Sequence, residues 1–459
     1  MKQNDEMTEK MVMIKQLMHR FILVLMACVL VIVLGHRAWS AENPGILTVE
    51  KALELAAENN PVISATRQKV VQSREKLNQA KADQYPKLAA SMAYQQTGED
   101  PYLPVYSQGM QIGYAQDGFR ETYKAAIELT WLIYSGGAVK YNVQAKELAL
   151  DSVQAQAVRT GQAVGNGVYN AFYNLQRARA KLVVADEALR LARRHLREVK
   201  LFYENGVVAK NQVLRVQVEV SDSELNRIKA ANAVDLAWSA LERTVGIDLK
   251  KEYSLPETKT LIDPFEVPDN LQDLSINNRP ELQALEKTRL SALALARSAA
   301  GSGGPQVVLK GETYEVGDEF FPDVQDDWKI TVAANWNFFD GGESKAKEAE
   351  AKAAAEEVLF RIEDFKKQIR LEVKSASLNL RSASQRVEVA KDQVKSAEED
   401  YRIALKRYKA QVGTNLDVLD SRVALINAKT KLADSIYDNY QSRADLLYAL
   451  GLNSYSQLH

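Results

Sequence analysis

Trp131-Leu132-Ile133-Tyr134-Ser135-Gly136-Gly137 returns as Trp336-Asn337-Phe338-Phe339-Asp340-Gly341-Gly342, 205 residues later (336 − 131). The same interval joins Tyr203 to Tyr408, Val213-Leu214 to Val418-Leu419, and Gly246 to Gly451. Upstream the interval is 219 (305 − 86): Pro86 answers Pro305, and Asn59-Asn60-Pro61 answers Asn278-Arg279-Pro280. The chain is therefore a tandem repeat. Its first copy carries 14 extra residues (219 − 205) between Pro86 and Trp131. The stretch Gly98 to Thr122, with its Pro, Gly, Tyr and Gln, is the expected seat of that insertion and reads as a loop.

Working outward, the residues on either side of the repeated string alternate in polarity. Trp328, Ile330, Val332, Ala334, Trp336 and Phe338 share one face of a strand predicted over Asp327–Phe339, with Lys329, Thr331 and Asn335 on the other. In the first copy Ala125, Ile127, Leu129, Trp131 and Ile133 oppose Glu128 and Thr130. Leu88, Met92 and Tyr94, then Val307 and Leu309, continue the pattern upstream. Apolar-out, polar-in strands of roughly 9–11 residues with aromatic ends suit a transmembrane barrel. A half-buried strand of a soluble sandwich alternates in the same way. The neighbouring helices decide between them, being far too long to cover a small sheet. Four strands cannot close a barrel, which needs about eight or more. An oligomer is implied, and it also removes the exposed sheet edges.

After each Gly-Gly pair a proline-free stretch rich in Ala, Lys, Glu, Gln and Leu begins. From Ile369 through Val373, Ala376, Leu380, Ala383 and on to Tyr408, apolar residues recur at alternating steps of four and three. Their counterparts 205 residues earlier, Val164 to Tyr203, are apolar too. A heptad sustained in both copies predicts coiled coil, with each helix about 100 Å long at 1.5 Å per residue. Glycines near the helical returns, Gly206 and Gly413, suit residues that tolerate positive φ.

The composition excludes several classes of function. Lys and Arg number 59 against 60 Asp and Glu, so no global field favours nucleic acid. The sole cysteine is Cys28, and the histidines are His19, His36, His195 and His459. No converging set of acid, base, nucleophile or metal-ligand residues is visible, so neither an enzyme nor a cofactor is expected.

Lys15, His19 and Arg20 precede the apolar run Phe21–Leu34, and Ala38-Trp39-Ser40 places small residues at a cleavage site. Residues 1–40 read as a secretory signal peptide. Leu25-Met26-Ala27-Cys28 is similar to a lipobox. The apolar residues Val29–Leu34 that follow favour cleavage after Ser40 over lipidation at Cys28. With no other candidate membrane helix, insertion would have to be as a β-barrel.

Asn59-Asn60-Pro61, Gln84-Tyr85-Pro86, Tyr134-Ser135-Gly136-Gly137, Phe339-Asp340-Gly341-Gly342 and the run Tyr408 to Asp420 resemble the signposts of TolC-like outer-membrane factors. The likeness spans essentially all of the chain after the signal segment. It implies a mainly α fold with a transmembrane β part: a tandem-repeat, long α-helical coiled-coil barrel plus four strands per chain, which join a trimeric twelve-stranded β-barrel. The layout is a first repeat over 41–252 (helix, hairpin 86–134, long helix 138–205, return helix 209–246) and a connector over 253–278. A second repeat over 279–452 (helix, hairpin 305–339, long helix 343–411, return helix 414–450) and a tail over 453–459 complete it.

The resemblance further implies an exit duct in the outer membrane that extends into the periplasm, passively conducting substrates for tripartite efflux or type I secretion. Its partners would be two further copies, a periplasmic adaptor, an inner-membrane pump of RND or ABC type, and outer-membrane lipid, with no nucleic acid. Asp417 and Asp420 match the aspartates at the closed periplasmic entrance, where mutual repulsion would raise some pKa values. Gly206, Val207, Gly413 and Thr414 fall at the adaptor-contacting tips, and Trp131, Trp328, Trp336 and Phe338 face lipid. Asn415 stands where the resemblance implies a basic gating residue, and Arg215 is offered as a hypothetical partner for Asp420 or another acid across the tip. The rival class is a surface-anchored coiled-coil stalk or adhesin without a pore.

Overall fold

The computed structural model describes residues 45–99, 102–116, 120–249, 253–256, 267, 270–320 and 325–452. The expected signal segment with Cys28, and the tail 453–459, lie outside the described residues.

The chain divides into two units. The smaller pairs β1 (Gly45–Ile46) with β6 (Tyr253–Ser254) in parallel, and the Leu47 amide donates to the Ser254 carbonyl at 2.8 Å. The larger unit, Thr48–Asp248 with Glu257–His459, holds the hairpins and long helices of both repeats.

Each repeat starts with two helices where the sequence suggested one. Helix α1 (Val49–Asn59) stops before α2 (Pro61–Ala82), and α5 (Leu271–Asn278) stops before α6 (Pro280–Ser302). The cause is the proline in each copy, which disfavours helical ψ in the residue before it. Asn60 adopts ψ 124° and Arg279 ψ 113°. Helix α5 also replaces the end of the expected connector. Its Leu271, Leu274 and Ile276 pack on a core of Leu282, Ile362, Ile369 and Leu446, burial that an unstructured linker would forgo.

Helices α3 (Ala138–Glu204) and α7 (Glu343–Lys409) each run 67 residues, and α4 (Lys210–Val245) and α8 (Asn415–Leu450) each run 36. At 1.5 Å per residue the long ones measure about 100 Å. The heptad positions are where the core lies: Val168, Leu175, Ala192 and Val199 on α3, and Ile369, Val373, Ala383 and Val387 on α7, are buried. Helix α3 packs on α4 within its own repeat and on α6 and α8 of the other.

Strands β2 (Lys87–Gln96), β5 (Glu121–Tyr134), β7 (Gln306–Gly317) and β8 (Gln325–Asn335) form one antiparallel sheet in the order β2-β5-β7-β8. Two sequence expectations fail here. The insertion is not a loop, because β3 (Tyr102–Ser107) and β4 (Met110–Gln116) pair as a hairpin of their own around Gln108-Gly109, both at positive φ. Also, β8 ends at Asn335, so Trp336 and Phe338 lie past the strand. The β7 partner begins at Gln306, opposite Asn335, and no strand among the described residues pairs further. Trp131 stays in its strand because β5 is hydrogen-bonded on both sides.

Candidate functional site: sheet faces and helical tips

The pairing register sorts the sheet into two faces. Lys124, Glu128 and Thr130 of β5 share a face with Lys310, Glu312 and Tyr314 of β7 and with Asp327 and Lys329 of β8. Lys124 Nζ reaches Glu312 Oε1 at 2.6 Å and lies over the Tyr314 ring. The other face carries Leu88 and Met92, Ile127, Leu129 and Trp131, Leu309, and Trp328, Ile330 and Val332. Most of these apolar side chains are exposed. Aromatics mark both limits of that face. Tyr123 and Trp328 sit at one end, and Trp131, with Trp336 just past β8, at the other. Eight residues separate Tyr123 from Trp131 and Trp328 from Trp336. That is about 27 Å along a strand, or about 20 Å across a bilayer at the usual tilt.

Both tips close by one hydrogen-bond scheme. The Val207 amide donates to the Phe202 carbonyl at 2.8 Å, and the Val412 amide to the Arg407 carbonyl at 3.0 Å, 205 residues on. This is the Schellman return, which needs one left-handed residue. Gly206 supplies it at φ 71° in the first tip, but Gln411, not Gly413, supplies it in the second at φ 63°. Gly413 is required for another reason. A Cβ there would lie 2.9 Å from the Arg407 Cβ. Val207, Val412, Leu214 and Leu416 are exposed around the tips.

Asp417 and Asp420 are exposed on the first turns of α8. Asp417 is engaged locally: its Oδ2 accepts the Thr414 amide at 2.9 Å, and its own amide donates to Thr414 Oγ1 at 3.1 Å. That is a capping box. Hydrogen bonds from the Thr414 backbone, then its side chain, hold the Asp417 carboxyl of the single chain below its usual range. The ion pair suggested between Arg215 and Asp420 is not formed among the described residues. Arg422 of the same turn pairs instead with Glu219 at 2.6 Å.

Asn415 does not face solvent at the tip. It is buried and its Oδ1 meets His195 Nε2 of α3 at 2.7 Å. The histidine is 1% exposed and stands edge-on to Tyr408. Sequence reading missed this pair, and no local signal joins residues 220 apart. Burial, foremost, holds the His195 pKa below 6.5; Arg422 and Lys409 add to this, while Asn415 and Glu198 oppose it. The unfolded chain therefore takes up a proton at higher pH than the folded tip does. The neutral-histidine contribution is complete above about pH 6.5 and declines as pH falls below it. His195→Gln should flatten the fall in melting temperature between about pH 7.5 and 5.5. An equal fall in both proteins would rule the histidine out.

Among the described residues no helix is long and apolar enough to cross a membrane, and no cluster of His, Cys, Asp and Glu could hold a metal ion. A sheet with one polar and one apolar face, tied to coiled coils that turn back at paired tips, has the build of a channel wall. Residues 52–247 and 271–452 match the sequence profile of the outer membrane efflux protein family, and the chain belongs to that family. Over 382 residues it is 22% identical to TtgC of Pseudomonas putida, a probable efflux pump outer membrane protein, covering 82% of this chain and 77% of the relative.

Among solved structures, the outer membrane protein VceC of Vibrio cholerae superposes with a TM-score of 0.73 at 19% identity, covering 88% of this chain and 96% of that one. The Campylobacter jejuni CmeC outer membrane channel superposes at 0.74 with 17% identity, covering 91% and 90%. The chain is accordingly an outer-membrane efflux channel that extends into the periplasm, not an adhesin. Proteins of this family form trimers and work with periplasmic adaptors and inner-membrane pumps.

Proposed function

We propose that this chain is a passive exit duct without catalytic chemistry, closed at its periplasmic entrance by Asp417 and Asp420. The observation that carries the gate is the pair of exposed carboxylates beside each other on the tip, with Asp420 in no ion pair among the described residues. Three copies would bring six carboxylates to one aperture, which attracts and detains cations. Gly206, Val207, Gly413 and Thr414 present the tips to an adaptor. Trp131 and Trp328 meet lipid, with Trp336 and Phe338 beside the strand end at the membrane boundary, while the face carrying Lys124, Glu128 and Glu312 lines water. Relatives named for antibiotic and toluene efflux support small solutes as the cargo in preference to secreted proteins.

Single-channel recording of the purified trimer tests the gate. Asp420→Ala, and Asp417→Ala with Asp420→Ala, should raise conductance and weaken block by multivalent cations in steps. The double variant also loses the cap, about 1 kcal/mol, so Asp420→Ala alone is the cleaner comparison. Conductance and block that stay at the parent values in both variants would remove the gate and leave the duct.

A further inference from the structure

The two repeats agree to the residue, well beyond their sequence similarity. Lys87 opposite Thr130, moved by 219 and 205, becomes Gln306 opposite Asn335, and that pair is present. The correspondence continues to Gln96 opposite Glu121, which becomes Glu315 opposite Asp326. Side chains obey it as well. The Trp131 indole donates to the Gln84 carbonyl at 3.0 Å, and the Trp336 indole to the Gly303 carbonyl at 3.2 Å. Asn60 Nδ2 donates to the Thr244 carbonyl at 2.6 Å, and Arg279 Nε to the Ala449 carbonyl at 2.9 Å.

One junction within the chain lacks its counterpart. Strand β5 of the first repeat pairs with β7 of the second, and the same operation carries β5 to β8 and β7 to β2. Strand β8 therefore calls for a β2. Its own chain's β2 lies at the opposite edge, three strand spacings or about 14 Å away. The helices show the same gap. Leu214 and Ile228 on α4 are 53% and 56% exposed, yet their counterparts Leu419 and Ala433 on α8 are 7% and 8% exposed against the coiled-coil core.

We propose that copies of this chain join at a β8–β2 seam of one fixed register: Val332 opposite Tyr94 of the partner subunit, Ala333 opposite Ala93 of the partner subunit, and Ala334 opposite Met92 of the partner subunit. These pairs are the images of Ile127–Thr313, Glu128–Glu312 and Leu129–Gly311. They put apolar residues beside apolar and small beside small on the correct faces. Trp336, unpaired in one chain, falls opposite Ala90 of the partner subunit and so extends the strand. On the helices, the Ser152–Thr288 bond of 2.9 Å maps to Glu357 facing Lys69 of the partner subunit. The Asp151–Lys287 pair of 2.8 Å maps to Glu356 facing Gln68 of the partner subunit. Each image keeps a donor opposite an acceptor.

The seam rests on the trimeric reading, and the experiment separates the two. Ala93→Cys with Ala333→Cys, and Tyr94→Cys with Val332→Cys, place thiols on directly opposed residues. Opposed Cα atoms lie about 4.5–5.5 Å apart, within disulfide reach, whereas positions shifted by two residues lie about 7–8 Å apart and are not. After mild oxidation of outer membranes, a boiled non-reducing gel should show covalent trimer in these two variants. The yield should be about fivefold or more above Ala333→Cys combined with Ser91→Cys or Gln95→Cys. Single-cysteine parents control for Cys28. As a second measure, Lys69→Glu should lower the trimer melting temperature, and adding Glu357→Lys should restore it. Native trimer with equal or stronger cross-linking in the shifted pairs overturns the register alone. Absence of trimer in the parent protein overturns the seam and the trimeric duct together.

Discussion

Replacing Arg279 by alanine is expected to destabilise the protein by about 3 kcal/mol or more, a loss of the size that follows removal of one partner from a buried ion pair. The guanidinium is 2% exposed. Its Nε donates to the Ala449 carbonyl, Nη1 reaches Glu281 at 3.1 Å, and Nη2 binds Glu372. Arg159 completes the cluster. It pairs with Glu281, donates to the Tyr448 carbonyl at 3.1 Å and lies 3.6 Å over the Tyr448 ring. Two cations thus sit at the C-terminus of α8, where the last carbonyls and the helix dipole favour them. Alanine leaves Glu281, Glu372 and a terminal carbonyl short of a donor at once. Lysine keeps the charge but not the fork, so Arg279→Lys should lose less than alanine but more than half as much. The first repeat solves the same junction with Asn60, an N-cap bonded to Thr244, and Asn60→Ala should cost only about 1 kcal/mol. Denaturation midpoints of the purified protein decide the matter. An Arg279→Ala midpoint equal to that of Asn60→Ala would show that the buried cluster contributes no more than a helix cap.

That contrast marks what the sequence could disclose. The interval between Trp131 and Trp336, the alternation in β5 and β8 and the heptads of α3 and α7 are periodic signals, and they specified the elements to within a few residues. Single-residue chemistry was harder to read. Pro104, Gly109 and Gly113 marked the insertion as a loop, because turn formers and edge-strand formers are the same residues. The left-handed position of the second tip fell on Gln411, since the Schellman bonds to Arg407 and Tyr408 determine it and residue type does not. Thr414-x-x-Asp417 was legible as a capping box, and the family likeness drew attention to the aspartate alone. Asn415 is the opposite case. Only three-dimensional packing brings His195 to it, so a position that sequence comparison suggested for the gate belongs to the core of the tip.

Gly136→Ala should cost roughly 3–5 kcal/mol, whereas its repeat counterpart Gly341→Ala should cost only about 1–2. Both glycines lie at positive φ, 63° and 66°, so both substitutions carry the left-handed penalty. The surroundings differ. A Cβ on Gly136 would lie 2.3 Å from the Gly301 carbonyl oxygen, and one on Gly301 would lie 2.7 Å from the Gly136 oxygen. Backbone meets backbone there, so α3 or α6 must move. A Cβ on Gly341 meets nothing within 4 Å in the chain. The seam would bring the image of Gly301 to it from the partner subunit, and that image is Ala82, a residue with a Cβ. Two residues that each lacked a Cβ made the tight contact inside the chain. With only one, the contact between copies must stand further apart, and Gly341→Ala should leave trimer stability close to the cost of its φ alone. Unfolding midpoints of the two variants within 1 kcal/mol of each other would contradict this. The repeat would then govern the spacing of the seam as strictly as its register.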